Sequence, residues 1–315
     1  MDERARISTD VGVHSLDHFA LAVPNLSDAR TFYGAFGLDV KDEQGTLGLY
    51  ARGNPHRWGV VRADPRRHLA WLSFGAYARD LPRFEERLKK SGVAAAAPPA
   101  GARDDGLWFH DMDGSPVHIG VADKSSPDAK VPLAALECAS AGARGARKRS
   151  EVPHVNPRRL SHVLRFTPNV PRAVAFYEDV LGMRLSDRSG DGIAFLHAVH
   201  GSDHHVVAFA KSDAPGYHHS SWDVGSLEEV GLGGMQMAAK GHTHGWGPGR
   251  HVLGSNYFWY VQDPWGSFAE YSADIDYVPA ATHWNAADYP PDDAFYLWGP
   301  GPPQDFVTNY ESTVR

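Results

Sequence analysis

Three side chains that could bind a metal ion or a substrate oxygen lie within 20 residues of one another. The segment 249–270 contains His251, Tyr260 and Glu270 around an Asp-Pro-Trp-Gly sequence at residues 263–266. Histidine is the commonest protein metal ligand, carboxylates also bind divalent ions, and a phenol hydroxyl can hydrogen-bond a substrate oxygen. The chain has 18 histidines in all, so any further ligands must be distinguished from ordinary surface or core residues.

The spacing in this segment predicts two paired strands. Strand residues alternate between faces, so Tyr260 shares one face with the even-numbered positions before it. The Asp-Pro-Trp-Gly turn then returns the chain antiparallel, and Glu270 can point to the same side. A surface carboxylate is the alternative, because the neighbours Phe268, Ala269 and Tyr271 only barely favour burial.

The elements that must position these residues occur twice in the chain. His18 and His162 each begin a short strand that runs into a Pro-Asn turn and then a helix. A Phe-Tyr pair follows each of these histidines after 14 residues, and each helix ends near a glycine, Gly37 or Gly182. Such self-similarity indicates a tandem duplication.

The later parts of the two halves also align. His68 and His219 are each followed by a tryptophan three residues on, Trp71 and Trp222. An Asp-x-x-Gly turn ends four residues before His118 in the first half and four residues before Glu270 in the second. His18, His68 and His118 therefore correspond to His162, His219 and Glu270, as a relic or as a second metal site.

These patterns predict an α+β chain of two tandem domains. Each domain repeats the order strand, helix, strand, strand, strand (βαβββ) twice, and its curled, antiparallel-rich sheet forms an open cup. We place the N-terminal domain at residues 12–122, a linker at 123–157 and the C-terminal domain at 158–280. The C-terminal tail, residues 281–315, is rich in proline and aromatic residues and is equally a lid or a subunit contact.

Composition narrows the function classes. The chain has 315 residues, 22% of them charged, and a net charge of -7, which gives no reason to expect nucleic-acid binding. No run of 18 apolar residues predicts a membrane span, and the first residues lack an apolar signal-peptide core. The one cysteine, Cys138, is expected to be structural and suits a reducing cytoplasm.

The segment 249–270 resembles the signature of type I extradiol dioxygenases, in the vicinal oxygen chelate (glyoxalase/bleomycin resistance/dioxygenase) superfamily. That signature is a His, about seven residues, an apolar residue, Tyr, two residues, Asp-Pro-x-Gly, three residues and Glu. This sequence fits from His251 to Glu270, except that Trp259 stands where an aliphatic residue or Phe is usual. With the duplication, the resemblance extends over about residues 12 to 280.

The resemblance implies one metal site, in the C-terminal domain, that binds Fe(II) or Mn(II) through His162, His219 and Glu270. His218 is the alternative to His219, which we prefer because it aligns with His68 and because the second His of such a pair is commonly the ligand in the family. Two imidazoles and a carboxylate occupy one face of an octahedral ion and leave the opposite face open for a catechol and O2.

The resemblance also implies catalytic roles. His205 matches the acid/base histidine, with His204 as its rival, and His251 and Tyr260 would hydrogen-bond the catechol oxygens. Ring cleavage would give a muconic semialdehyde type product. Some relatives that take carboxylate-bearing catechols have an Arg five residues before the signature His; here that position is Trp246, which favours an uncharged or aromatic catechol. The alternative is a charged substrate group that meets Arg250, directly before His251.

Two other functions are compatible with the same scaffold. A glyoxalase-like isomerase would need the metal but not His205, His251 and Tyr260, and a non-catalytic binding protein would lack the triad. We expect a cytoplasmic enzyme whose partners are a catechol and O2, without nucleic acid or membrane. Its aromatic segments favour contacts in a homo-oligomer.

Overall fold

The computed structural model describes residues 10–134 and 139–312. The predictions made for the first residues and for Cys138 concern positions outside this range.

The first half contains seven strands and two α-helices. They are β1 (Ser15–Val23), α1 (Leu26–Phe36), β2 (Asp39–Glu43), β3 (Thr46–Tyr50), β4 (Arg57–Ala63), β5 (His68–Ala76), α2 (Leu81–Lys90), β6 (Leu107–His110) and β7 (Pro116–Val121).

The second half repeats this order, with short additions. Its elements are β8 (Arg159–Thr167), α3 (Val170–Leu181), β9 (Arg184–Ser189), β10 (Ile193–His197), β11 (Ser202–Asp203), β12 (Val207–Lys211), β13 (Gly216–Asp223), α4 (Leu227–Ala238), β14 (Gly245–His251), β15 (Tyr257–Gln262), β16 (Phe268–Ala273), β17 (Tyr277–Val278), β18 (Ala287–Asp288), α5 (Pro291–Ala294) and β19 (Tyr296–Trp298).

Each half forms one large sheet from two modules; three of the four modules have the order βαβββ, and the second module of the first half, β5 to β7 with α2, has one strand fewer among the described residues. The order in the first sheet is β2-β3-β4-β1-β5-β7-β6, and the second has β9-β10-β12-β8-β13-β16-β15-β14 with β18 and β19 of the tail added at its edges. The first strands of the two modules, β1 and β5 or β8 and β13, pair antiparallel at the centre of their sheet. The predicted α+β class with antiparallel-rich, duplicated modules is confirmed.

Local sequence explains where the predicted helices begin and end. The side chains of Asn25 and Asn169 accept hydrogen bonds from backbone N–H groups in the first turns of α1 and α3. Gly37 and Gly182 end these helices with φ of 102° and 69°, in the left-handed region that favours glycine. These caps lead the chain directly back into β2 and β9.

The two faces of the second sheet have different environments. Val163 in β8 belongs to the main apolar core, whereas Leu164, the next residue, belongs to a separate cluster with Phe195 and Leu253. His162 lies on the same face as Leu164 because strand residues alternate.

Within the part of the chain that the structure describes, no helix is long and apolar enough to cross a membrane.

The strand register corrects one step of the internal alignment. Ser73 pairs with His18, and Ser221 pairs with His162, so counting back two residues makes Trp71 the counterpart of His219. The prediction that His68 corresponds to His219 is therefore wrong by three residues. The shared His-x-x-Trp spacing is a coincidence of sequence, because backbone hydrogen bonding decides which residues are equivalent.

Candidate metal centre

Three neighbouring strands near the middle of the second sheet carry the predicted metal ligands. His162 lies in β8, His219 in β13 and Glu270 in β16. Ser221 of β13 pairs with His162 on one side and with Glu270 on the other. The two ligands on the outer strands are therefore level, and His219 lies two residues away on the same face of the middle strand.

The three ligand atoms converge on one point. Nε2 of His219 lies 3.3 Å from Nε2 of His162, and Oε2 of Glu270 lies 3.4 Å from Nε2 of His162 and 3.6 Å from Nε2 of His219. All three residues are buried. Metal–ligand bonds of about 2.1 Å at right angles separate adjacent donor atoms by about 3 Å, so a small contraction would fit a divalent ion.

The donor atoms also need a partner. Oε2 of Glu270 is buried without a hydrogen bond to any described residue, and such an orphaned carboxylate oxygen is costly unless a cation compensates it. Among the described residues, His162, His219 and Glu270 are the only group of three potential ligands close enough to share an ion. Residues and geometry therefore fit a two-histidine, one-carboxylate metal site.

The charge states suit this role. Burial lowers the pKa of His219 well below its usual value, so the ring is neutral at pH 7 and keeps a lone pair. Burial alone would raise the pKa of Glu270, but neighbouring His162 and His251 outweigh it and the net shift is downward. Glu270 is thus an anion, as a metal ligand must be.

The predicted catalytic residues surround the triad. The ring centroid of His205 lies 4.0 Å from that of His162, and the ring centroid of Tyr260 lies 5.1 Å from that of His219. Nε2 of His251 lies 2.9 Å from the Tyr260 hydroxyl oxygen. Burial, and then the charge of Glu270, raise the pKa of Tyr260 well above its usual value, so the phenol stays protonated.

The two rival histidines lie one step further out. Nε2 of His204 lies 2.8 Å from Oδ2 of Asp187, and Nε2 of His218 lies 2.7 Å from the backbone oxygen of Phe306. Their Nδ1 atoms face the Nδ1 atoms of His205 and His219 at 3.0 Å and 2.6 Å. Both ring nitrogens of each outer histidine are thus engaged, and each outer histidine contacts the inner one.

Asn256 belongs to the site and was missed in the sequence. Its side-chain nitrogen donates hydrogen bonds to Oε1 of Glu270 at 3.0 Å and to the Ser272 hydroxyl at 2.9 Å. This leaves Oε2, the other carboxylate oxygen, toward the two histidines. A signal was available, because Asn256 is one of the even-numbered residues that share the face of Tyr260.

The corresponding position in the first half is built differently. The Trp71 indole donates a 3.1 Å hydrogen bond to Nε2 of His18, whose Nδ1 lies 2.6 Å from Asp17. The ring nitrogens of His118 lie 2.8 Å from the Ser73 hydroxyl and 2.9 Å from the Asp105 backbone oxygen.

Beside the metal centre lies a cavity of about 570 Å³. The three predicted catalytic residues line it together with His162 and His219. Most of the remaining wall is apolar, and part of it comes from the C-terminal tail. These wall residues are Leu164, Ile193, Phe195, Ala210, Leu253, Pro291, Ala294, Phe295, Phe306 and Val307.

Comparison with known proteins places the chain in a family. The model of the Glyoxalase/Bleomycin resistance protein/Dioxygenase superfamily matches residues 159–271. "Metapyrocatechase 2" of Cupriavidus necator is 52% identical, over 95% of this chain and 93% of that relative. "Biphenyl-2,3-diol 1,2-dioxygenase" of Paraburkholderia xenovorans is 28% identical, over 83% of this chain and 88% of that protein.

A solved structure agrees with this placement. The Mn(II)-bound glyoxalase from Novosphingobium aromaticivorans is 25% identical, with a TM-score of 0.74 over 93% of this chain and 94% of that one. The chain belongs to the Glyoxalase/Bleomycin resistance protein/Dioxygenase superfamily and, within it, to the extradiol ring-cleaving dioxygenases.

Proposed function

We propose that this enzyme cleaves the ring of a catechol-type substrate with O2, at one Fe(II) or Mn(II) ion held by His162, His219 and Glu270, to give a muconic semialdehyde type product. The observation that carries the proposal is the convergence of three buried ligand atoms, 3.3 to 3.6 Å apart, beside a cavity. The identity to "Metapyrocatechase 2" supports it, as does a relative whose name specifies an aromatic diol and a dioxygenase.

The ion would supply the electron path between the two substrates, and the surrounding residues would do the rest. Tyr260 and His251 form a hydrogen-bonded pair beside the triad, so they can hold the catechol oxygens in place. Because the Tyr260 phenol stays protonated, its one hydrogen, which faces His251 in the free enzyme, can turn to a bound substrate oxygen that has lost its proton.

His205 is suited to move a proton. Burial lowers its pKa well below the usual value, so the free ring is neutral. Its Nδ1 faces His204, and its Nε2 can accept the proton that a catechol hydroxyl loses on binding. We propose that Nε2 holds this proton and returns it while the ring opens, which is general acid–base catalysis.

The cavity supports an uncharged, apolar catechol. No Lys or Arg occurs among the described residues that line it, and Asp191 is the one carboxylate outside the metal triad. Burying an unpaired substrate carboxylate against this wall would be unfavourable. We expect alkyl- or aryl-substituted catechols to have a kcat/KM at least tenfold above that of carboxylated ones, as measured with a matched panel in an oxygen electrode.

We further propose roles for the two domains and the C-terminal tail. Residues 12–122 would be a domain without a working metal site, residues 158–280 the catalytic domain and the C-terminal tail a lid, because the tail supplies Pro291, Phe295 and Phe306 to the cavity wall. A homo-oligomer and a cytoplasmic location complete it, the latter because one cysteine allows no internal disulfide.

The test is anaerobic purification with metal analysis, followed by O2 uptake on the catechol panel. We expect about one Fe or Mn per chain and a yellow product, both lost in Glu270→Ala. Glu228→Gln, at an exposed helical position, is the matched control and should keep both. Bound metal without O2 uptake on any catechol would instead favour the isomerase. The absence of both bound metal and O2 uptake would refute the proposal.

A further inference from the structure

Two backbone carbonyl groups of the C-terminal tail contact histidines of the site. The Phe306 oxygen lies 2.7 Å from Nε2 of His218, and the Phe295 oxygen lies 2.8 Å from Nδ1 of His251. A carbonyl oxygen can only accept a hydrogen bond, so each of these ring nitrogens must carry a proton. The tail therefore specifies where these histidines are protonated.

The first contact is transmitted to a metal ligand. His218 is packed among the rings of Phe166, Phe268 and Phe306, where a second proton and its positive charge would be strongly disfavoured. With its proton on Nε2, His218 has a lone pair on Nδ1. That atom lies 2.6 Å from Nδ1 of His219, which must therefore donate the hydrogen between them.

The consequence for His219 is a single protonation pattern. A neutral imidazole carries one proton, so with Nδ1 protonated its Nε2 has the lone pair. Nε2 is the atom that faces His162 and Glu270. Only this tautomer can bind a metal there without first losing or moving a proton.

The second contact acts directly. His251 donates from Nδ1 to the Phe295 oxygen, which leaves the Nε2 lone pair toward the Tyr260 hydroxyl. The hydroxyl can then donate to Nε2 at 2.9 Å. Both tail carbonyls thus produce the same outcome, a histidine whose Nε2 lone pair faces the reaction site.

We infer that His218 is a positioning residue and that the C-terminal tail, through the Phe306 and Phe295 carbonyl groups, sets the tautomers of His219 and His251. The inference rests on the proposed function only in naming His219 a metal ligand. Partners of this kind on the second ring nitrogen orient ligating histidines, and their loss typically weakens metal binding about 10- to 100-fold.

The tail is anchored well enough to act in this way. Asn309 donates 2.9 Å to the Ala214 backbone oxygen, just before the strand that carries His218. Glu311 accepts from the Tyr217 backbone N–H at 2.9 Å and from Arg67 of the first half at 3.0 Å. These contacts flank Phe306 on its C-terminal side and hold its carbonyl against His218.

The test compares three His218 variants in the full-length chain. An Asn side-chain oxygen commonly replaces Nδ1 of His, so His218→Asn should keep an acceptor for His219 and bind Mn(II) or Fe(II) within about threefold of the wild type. His218→Leu keeps bulk but no acceptor and should weaken binding about 10- to 100-fold in an anaerobic chelator competition. His218→Gln, which can replace only Nε2, should resemble Leu. Equal affinity in all three would overturn the inference.

A second measurement needs no His218 variant and no metal. In the metal-free chain labelled with 15N at histidine, Nδ1 of His219 should carry a directly bonded hydrogen and Nε2 none, with the signals assigned by their absence in His219→Gln. The opposite pattern would overturn the inference even if the His218 variants failed to fold. The predicted tautomer in a chain that binds no metal would instead reject the proposed metal site and leave the inference intact.

Discussion

The indole nitrogen of Trp71 donates a hydrogen bond to Nε2 of His18, the atom that corresponds to Nε2 of His162, a proposed metal ligand, in the other half. Trp71 also occupies the position of His219, as the strand register shows. A bulky hydrogen-bond donor thus stands where the second half has the proposed metal ligand His219. The two halves share a backbone scaffold, but two of the three equivalent positions differ: Trp71 stands for His219, and His118 stands for Glu270.

This relationship predicts unequal effects at the two equivalent histidines. His162→Gln should abolish metal binding, whereas His18→Gln should leave the metal content near one ion per chain and lower only stability, because Asp17 loses its buried partner. Metal analysis with thermal unfolding checks both. Loss of half the metal from a wild type that binds two ions per chain would show that the first half is also a metal site.

Asn256 should tune metal affinity through Glu270. Replacing it by Leu, similar in size, removes the donor to Oε1 and should weaken metal binding about 10- to 100-fold. The reason is that Glu270 would no longer be held with Oε2 toward the two histidines. Asn256→Ser, which keeps a polar side chain, is the control and should weaken metal binding less than Asn256→Leu. Chelator competition measures the affinities, and an unchanged affinity in Asn256→Leu would show that Glu270 is oriented by other contacts.

A buried ion pair joins the two halves and should stabilise the fold. Arg165 in β8 donates to Asp111 in the first half and to the Tyr177 hydroxyl, and the Arg165 side chain is 1% exposed. Asp111→Ala should cost about 3 to 5 kcal/mol because it leaves a buried guanidinium without its counter-ion.

The double variant Asp111→Ala/Arg165→Leu is the matched control. It removes both charges and should regain a large part of that loss in urea unfolding, while metal content stays near one. If the double variant were no more stable than Asp111→Ala, the loss would come from the backbone hydrogen bonds that Asp111 accepts from Asp113 and Ser115, and not from the unpaired charge.

Stability should fall on acidification because of His197. Burial lowers the pKa of this ring to about 3 in the folded chain, against about 6.5 when unfolded. Below pH 6.5 the unfolded state therefore binds more protons, and this group lowers the free energy of unfolding by about 2 kcal/mol at pH 5. Above pH 6.5 the ring is mainly neutral in both states, and this loss of stability disappears.

The check is the slope of unfolding free energy between pH 6.5 and 5 in His197→Asn. Asn cannot titrate but can still donate to the Ser186 hydroxyl, which lies 2.7 Å from Nδ1 of His197. The slope should decrease by up to one proton relative to the wild type. Identical slopes would mean that other buried histidines account for the acid sensitivity.

Much of the fold and site was predictable because the signals are local. The Asp-Pro-Trp-Gly turn sets the register of β15 and β16, so Tyr260 and Glu270 become direct cross-strand partners. The same reasoning predicted helices α1 and α3, whose Asn caps and terminal glycines are short-range features. The duplication then indicated which histidines begin equivalent strands.

Register across the sheet was not predictable in the same way. β13 has irregularities between Tyr217 and His219 and between Ser221 and Trp222, so counting residues in sequence does not give the pairing. The first half has irregularities at the corresponding positions, but 55 residues separate His18 from its partner Ser73, whereas 59 separate His162 from Ser221, so the spacing of His68 and Trp71 suggested the wrong equivalence. Backbone hydrogen bonds between strands far apart in sequence decide it.

The sequence by itself determined the types of groups that can do chemistry here and the hairpin that pairs Tyr260 with Glu270. Only the tertiary structure decided which ring nitrogen of each histidine faces the site, because the partners of His218 and His251 are carbonyl groups at Phe306 and Phe295, 88 and 44 residues away. A backbone carbonyl is the same at every residue, so no residue type reveals it. Packing of the tail against the cup selects which carbonyl makes each contact.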